Sequence, residues 1–218
     1  FEISRRTVSR WIESWAEQLP PLADTLVPAR PDDVLELDEL WSFVARKDNK
    51  RWVWVALCRR TRQVVAYVIG DRSSRTCRKL WQRIPADYRH CRSYSDFWHA
   101  YEQLLSTGKH QIVGKDSGES AHVERWNCTL RQRLARYVRK TLSFSKSDKF
   151  HHLVTKWFIF DYNCTSQQHV AVRNGMDIMR ICDTNPLSPH NSFTTGVAIQ
   201  DVGSDKGYCK SMYHSPCE

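Results

Sequence analysis

The sequence predicts an α/β fold, a mixed sheet with helices packed on its faces. Three observations carry that expectation. Residues 34–71 hold three successive β-branched and aromatic runs joined by short polar connections, which read as an antiparallel meander. Residues 73–114 then alternate helix-like and strand-like runs, the signature of parallel crossovers. Two further helical runs, one opening near Glu124 and one spanning 150–162, supply cover for the sheet.

The elements follow in order. In FEISRRTVSRWIESWAEQL (1–19), Ser4 is placed to cap a helix whose Val8, Trp11, Ile12 and Trp15 share one face. Arg5, Arg6, Thr7 and Arg10 lie toward the other face. A recognition helix of a helix-turn-helix module has this pattern, polar and basic at its start and apolar on the side that packs on a preceding helix. The segment therefore reads as part of a helix-turn-helix that contacts DNA; a plain amphipathic helix has the same spacing. Pro20, Pro21, Pro28 and Pro31 make residues 20–32 a stiff linker. VLELDELWSFV (34–44) is the first strand, ended by a turn at KDNK (47–50). RWVWVALCRR (51–60) and QVVAYVIGD (63–71) follow, joined tightly at Thr61-Arg62. SSRTCRKLWQRI (73–84) is a helix capped by Ser73 or Ser74, CRSYSDF (91–97) a strand, HAYEQLL (99–105) a helix and HQIVG (110–114) a strand. A helix-like run from Arg125 to Lys140 and the apolar helix FHHLVTKWFIFDY (150–162) complete the patterned part.

Beyond residue 164 the composition changes. Four Arg/Lys stand against five Asp/Glu from Thr165 to Glu218, Gly, Ser, Asn and Pro become frequent, and an irregular tail is expected. The basic character of the chain, +9 overall with a pI near 9.2, thus belongs to its first three quarters and favours an acidic partner such as nucleic acid. No apolar run reaches the ~20 residues that span a bilayer, so no membrane partner is expected. Eight cysteines include no C-x-x-C pair. Cys209, His214 and Cys217 form only a loose cluster that would need a distant fourth ligand for zinc, and reduced thiols in a cytoplasmic protein are the simpler reading.

Chemistry concentrates at three acids. Asp38 interrupts an apolar strand, where a charge costs several kcal/mol unless paired or metal-bound. Asp96 ends a strand-like run, and Glu124 opens a stretch carrying Arg125, Arg131, Arg133, Arg136, Arg139 and Lys140 with no acid among them. Acids drawn from separate elements toward one point are what two-metal phosphoryl chemistry requires. Asn127 and Arg131 fall on Glu124's side of a helix, where they could meet the same DNA backbone. Each acid also has a plainer reading: Asp38 paired with Arg51 or Arg59, Asp96 a helix cap, Glu124 a favourable first-turn acid. Glu36, Glu39, Asp71, Asp116 and Glu119 compete, and spacing alone does not choose among them.

The runs LDELWSFV (37–44), SYSDFWHAY (93–101) and IVGKDSGESAHVERWNCTLRQRLARYVRKTLSFSKS (112–147) resemble transposases of the insertion sequence one family, a branch of the DDE enzymes. The last is the most specific: an acid followed by Arg, then Asn, an LRxR stretch and RKTxxFSKS. The resemblance spans roughly residues 1–163 and implies an RNase H-like catalytic domain over 33–163, preceded by the DNA-binding segment 1–19. It implies a catalytic, metal-holding triad of Asp38, Asp96 and Glu124, dependence on Mg²⁺ (or Mn²⁺), and cleavage of element ends followed by their joining to target DNA. Duplex DNA is the implied partner, a homo-oligomer the implied active state, and the nucleoid of a prokaryotic cell the implied location. The tail 164–218 has no counterpart in the resemblance. An RNase H-like nuclease would use the same acids, and a catalytically decayed DNA-binding protein would keep only the basic surface; both stay open on sequence.

Overall fold

In a computed structural model of the chain, which describes residues 3–96, 99–102, 109–138 and 140–173, the three apolar runs pair as expected. Strands β1 (Val34–Val44), β2 (Arg46–Cys58) and β3 (Val64–Gly70) form an antiparallel meander, with Asp38 opposite Val55. Strands β4 (Arg92–Ser95) and β5 (His110–Ile112) extend the sheet in parallel on the other side of β1, giving the order β3-β2-β1-β4-β5. The central strand is therefore β1, the one that carries Asp38.

Alternation along the strands sorts side chains to two faces. Leu35, Leu37, Trp54 and Ala56 pack with Cys77 and Leu80 of helix α2 (Ser74–Arg83), with Tyr88 of the short α3 (Ala86–Arg89) and with Tyr101 of α4 (His99–Glu102). Leu40, Val53 and Val55 pack on the other face with Val123, Trp126 and Leu130 of α5 (Ala121–Arg133) and with Ile159 of α6 (Asp148–Arg173). Helices on both faces of a mixed sheet are the α/β arrangement read from the sequence.

Several local expectations are corrected. The KDNK stretch is not the first hairpin turn: β2 already begins at Arg46, and the reversal falls on Ala45, whose φ is +62°. The basic run does not stay helical to Lys140. Helix α5 ends at Arg133, Arg136 lies in a 3₁₀ turn over Ala135–Tyr137, and Lys140 has φ +57°. Helix α6 continues to Arg173, past the boundary that composition draws at 164. The first helix, α1 (Arg5–Gln18), is capped by Ser4, whose hydroxyl accepts from Thr7 N at 3.1 Å. Its buried seam is Ala16, with Leu19 just beyond, while Val8, Trp11 and Trp15 remain 42–51% exposed. It docks on α6 through a Trp15–Trp157 edge contact and a Lys149–Glu13 ion pair at 2.9 Å. Trp98, Arg139, residues 103–105 of the helix predicted over 99–105, Cys209, His214 and Cys217 and the tail from 174 lie outside the described residues.

The FSKS motif has a structural role. Ser145 O accepts from Ala45 N at 2.7 Å, and Ser145 Oγ meets His151 Nδ1 at 2.8 Å in the core. His151 Nε2 lies 3.2 Å from Ser42 Oγ on β1, so one buried imidazole ties the loop and α6 to the central strand. Burial holds that imidazole neutral, lowering its pKa to about 4.

Candidate active site

Strands β1 and β4 pair in parallel from Val34↔Arg92 to Glu36↔Tyr94 and then part. Asp38, within β1, and Asp96, just past β4, each stand two residues beyond the last pair, at the carboxyl end of the stretch over which the two strands pair. That is where α/β sheets open a crevice for ligands. Helix α5 starts beside this opening and contributes Glu124 from its first turn. A cleft of about 260 Å³ results, lined by Asp38, Glu39, Asp96, Ser120, Glu124 and Arg72. The three acids singled out in the sequence thus share one cleft.

What docks α5 there is Glu36, which spacing leaves among the competitors. It is fully buried, two residues before Asp38 and on the same face of β1. Its Oε2 accepts from the backbone N–H of His122 and Val123 at 2.9 and 3.0 Å. Its Oε1 receives Arg59 Nε at 2.7 Å and His122 Nδ1 at 2.6 Å. No side chain caps α5 locally at Ser120, so this carboxylate from the sheet satisfies the helix's orphan donors and favours its positive end. Helix pitch then sets where Glu124 stands.

The Asp38 carboxylate is held from both sides. Asn127 Nδ2 donates to Oδ2 at 2.6 Å, and the backbone N–H of Glu39 donates to Oδ1 at 2.8 Å. Asn127 is buried in this role rather than turned to solvent. Its Oδ1 is buried with no hydrogen-bond partner among the described residues. Burial pushes the Asp38 carboxyl up to about 7, and the negative charges of Glu39, Asp96 and Glu124 add to the effect; the Glu39 N–H opposes it. Ser120 Oγ steadies Glu124 by donating to Oε1 at 2.8 Å.

The plainer readings of Asp38 do not hold. Arg51 pairs with Asp148 at 2.7 Å, and Arg59 with Glu36 and Glu119, each at 2.7 Å. Of the competing acids, Asp71 accepts from the Ser73 and Thr76 hydroxyls at the start of α2, which hold its carboxyl below the usual range. Glu39 lines the cleft, yet Arg72 Nε donates to it at 2.9 Å and Tyr101 OH at 3.0 Å. Burial still raises its pKa, against the Arg72 and Tyr101 hydrogen bonds. Arg72, which also lies 4.5 Å over the Trp52 ring, has no signal in the sequence. Its place comes from following the end of β3. Tyr101 is core, wholly buried, as its aromatic setting suggests.

The basic residues divide. Arg125 and Arg133 are exposed on α5, Arg131 and Arg136 are half-buried, and Lys140 is exposed beyond the helix. Arg5, Arg6 and Arg10 are exposed on α1, while Thr7 Oγ1 lies 2.9 Å from Ser4 Oγ.

The sheet order, the central acidic strand and the helix-borne glutamate define the class: an RNase H-like core. The comparisons carry this to a family. The pattern of the IS1 transposase family matches residues 34–163. Insertion element iso-IS1n protein InsB of Shigella dysenteriae is 38% identical over 126 residues, covering 58% of this chain and 93% of that protein. Insertion element IS1 protein InsB of Shigella flexneri is 40% identical over 119 residues, 55% of this chain and 88% of its own length. Insertion element IS1 4 protein InsB of Escherichia coli K12 is 36% identical over 143 residues, 65% of this chain and 79% of its own. The chain belongs to the IS1 transposase family, and is by that membership a DNA transposase. No helix among the described residues is long and apolar enough to cross a membrane.

Proposed function

We propose that this transposase cleaves element ends and joins them to target DNA by metal-dependent phosphoryl transfer in the Asp38–Asp96–Glu124 cleft. The supporting observation is that acids from β1, from the end of β4 and from α5 face one cavity, and that burial, with the neighbouring acids adding to it, raises the pKa of the most enclosed of them to about 7. The cation in its lining, Arg72, is engaged by Glu39. Carboxylate oxygens suit a hard divalent ion, so Mg²⁺ or Mn²⁺ fits the donor set. Among the described residues no three His, Cys, Asp or Glu are already grouped as ion ligands. Asp38, Asp96 and Glu124 would therefore close on the ion as it enters. When bound, magnesium supplies Lewis-acid stabilisation of the phosphate and eases deprotonation of the attacking hydroxyl.

The chain's own groups do the rest. Asn127 and the Glu39 N–H hold the Asp38 carboxylate in one orientation before DNA arrives, which lowers the reorganisation needed at reaction. Arg72 occupies Glu39, which sets that acid apart from Asp38, Asp96 and Glu124 in the same cleft. Arg125, Arg131, Arg133, Arg136 and Lys140 lie along α5 and beyond it, where they would neutralise phosphates; Arg5, Arg6, Thr7 and Arg10 would do so from α1. Two element ends need two such sites, hence a homo-oligomer as the active form.

The test is cleavage of a labelled duplex carrying the element's terminal sequence, in Mg²⁺. Asp38→Asn, Asp96→Asn and Glu124→Gln should each abolish nicking and joining while duplex affinity in Ca²⁺ is retained. Undiminished cleavage by any one of the three would overturn the assignment of that residue.

A further inference from the structure

A second cavity, of about 400 Å³, lies on the flank of α5 away from the acids. Arg125 and Thr129 line it one helical turn apart, with His122 and Trp126 on the same flank, Tyr162 from α6 and Arg62 from the β2–β3 turn. Its polar lining consists of groups that can donate hydrogen bonds, two of them guanidinium cations, and no carboxylate takes part. Trp126 adds part of its otherwise buried ring to the lining. His122 is fixed in place by Glu36, the same carboxylate that docks α5 beside the cleft. Arg62 is held in the turn with φ +63°, stabilised by its N–H donating to Cys58 O at 2.8 Å.

We propose that this pocket is a DNA-phosphate site, seating a backbone phosphate that flanks the one presented to the acidic cleft. The inference rests on the transposase reading and deepens it. Arg62 and Arg125 provide both the counter-charge and the N–H donors, and no acid in the lining opposes the phosphate oxygens. Because His122 and Arg125 bracket Glu124 in sequence on one helix, a phosphate seated here also sets the register of the strand against the cleft. Arg125 then acts as a local clamp rather than as one of many diffuse charges.

The experiment measures binding of the full chain to a duplex of about three helical turns in Ca²⁺ by fluorescence anisotropy across a salt series. Arg62→Gln should weaken binding about tenfold, as expected for loss of a charge-assisted hydrogen bond. It should also reduce the slope of log K against log salt by about 0.9. Lys79→Gln, on the opposite layer of the fold, serves as control. Walking a single neutral methylphosphonate along each strand should locate one position that weakens the parent but not Arg62→Gln. Parent-like affinity and slope in Arg62→Gln, or a methylphosphonate profile identical in parent and variant, would overturn the proposal. Either result can stand while Asp38→Asn still abolishes cleavage, so failure of the pocket and failure of the transposase mechanism are separable.

Discussion

Replacing Asp38 by asparagine should make the metal-free protein more stable even as it destroys cleavage. The Asp38 carboxyl rises from 3.8 in the unfolded chain to about 7 in the fold. The folded state therefore holds a proton that the unfolded state has lost between those values, and stability falls as pH rises through that window. At one pKa unit per 1.36 kcal/mol the full penalty above pH 7 is about 4 kcal/mol, reduced to about 2–3 by solvent at the cleft mouth. Asparagine removes the charge and keeps the shape. Turning the Asn127 amide over would let its Oδ1 accept from the substituted side-chain amide, exchanging one buried partnerless amide atom for the other. The parent's own pH profile would mislead, because His110 and His151 are lowered by burial to about 4 and make stability rise with pH over much of the same range. The difference between variant and parent cancels those groups. Urea unfolding in EDTA in small steps from about pH 4 to pH 8 should give a difference near zero at the acid end that grows to about 2–3 kcal/mol in favour of Asp38→Asn at the alkaline end. A flat difference, or a variant less stable than the parent at about pH 8, would refute the claim that the cleft holds an uncompensated acid.

Other consequences are testable with the same methods. Glu36→Gln should cost about 3 kcal/mol in urea unfolding, since it loosens Arg59, His122 and the first N–H groups of α5 from a buried carboxylate, and it should reduce cleavage although Glu36 faces no substrate. Asn163→Ala should cost about 2–4 kcal/mol, because the wholly buried Asn163 amide serves Val64 N, Val64 O and Thr25 Oγ1 together. His151→Phe should flatten the loss of stability between pH 6.5 and about 4, as a neutral buried imidazole no longer opposes protonation there; an unchanged acid limb would contradict that role. Magnesium at millimolar concentration should raise the thermal midpoint of the parent and leave that of Asp38→Asn unmoved.

Much of the scaffold is legible in the sequence because the strands obey a period of two and most of their ends carry plain turn chemistry. Val34–Val44 is readable to the residue, and the placement of an acid within it points at the cleft. The errors have physical causes. KDNK has the composition of a turn, yet the end of a long twisted hairpin tolerates polar residues, and the reversal moves to Ala45. Six basic residues without an acid resemble one helix, but nothing in the charge pattern marks a C-terminus, and α5 stops after Arg133 when Leu134 turns extended. Spacing alone assigns the apolar face of α1 to its large side chains, whereas the seam against α6 turns to the smaller Ala16 and leaves Trp11 exposed. Glu36 is visible in the sequence only as one acid among several. Its use as a cap for a helix 86 residues away depends on the strand and helix being brought together, which no local pattern encodes.

The central claim is that Asp38, Asp96 and Glu124 jointly receive divalent metal. Anomalous diffraction from crystals soaked in Mn²⁺ tests it without recourse to activity. The account predicts a peak in the cleft within inner-sphere distance of the Asp38 and Asp96 carboxylates, with Glu124 turned toward it. Its contradiction would be well-occupied manganese elsewhere on the protein and none between those side chains.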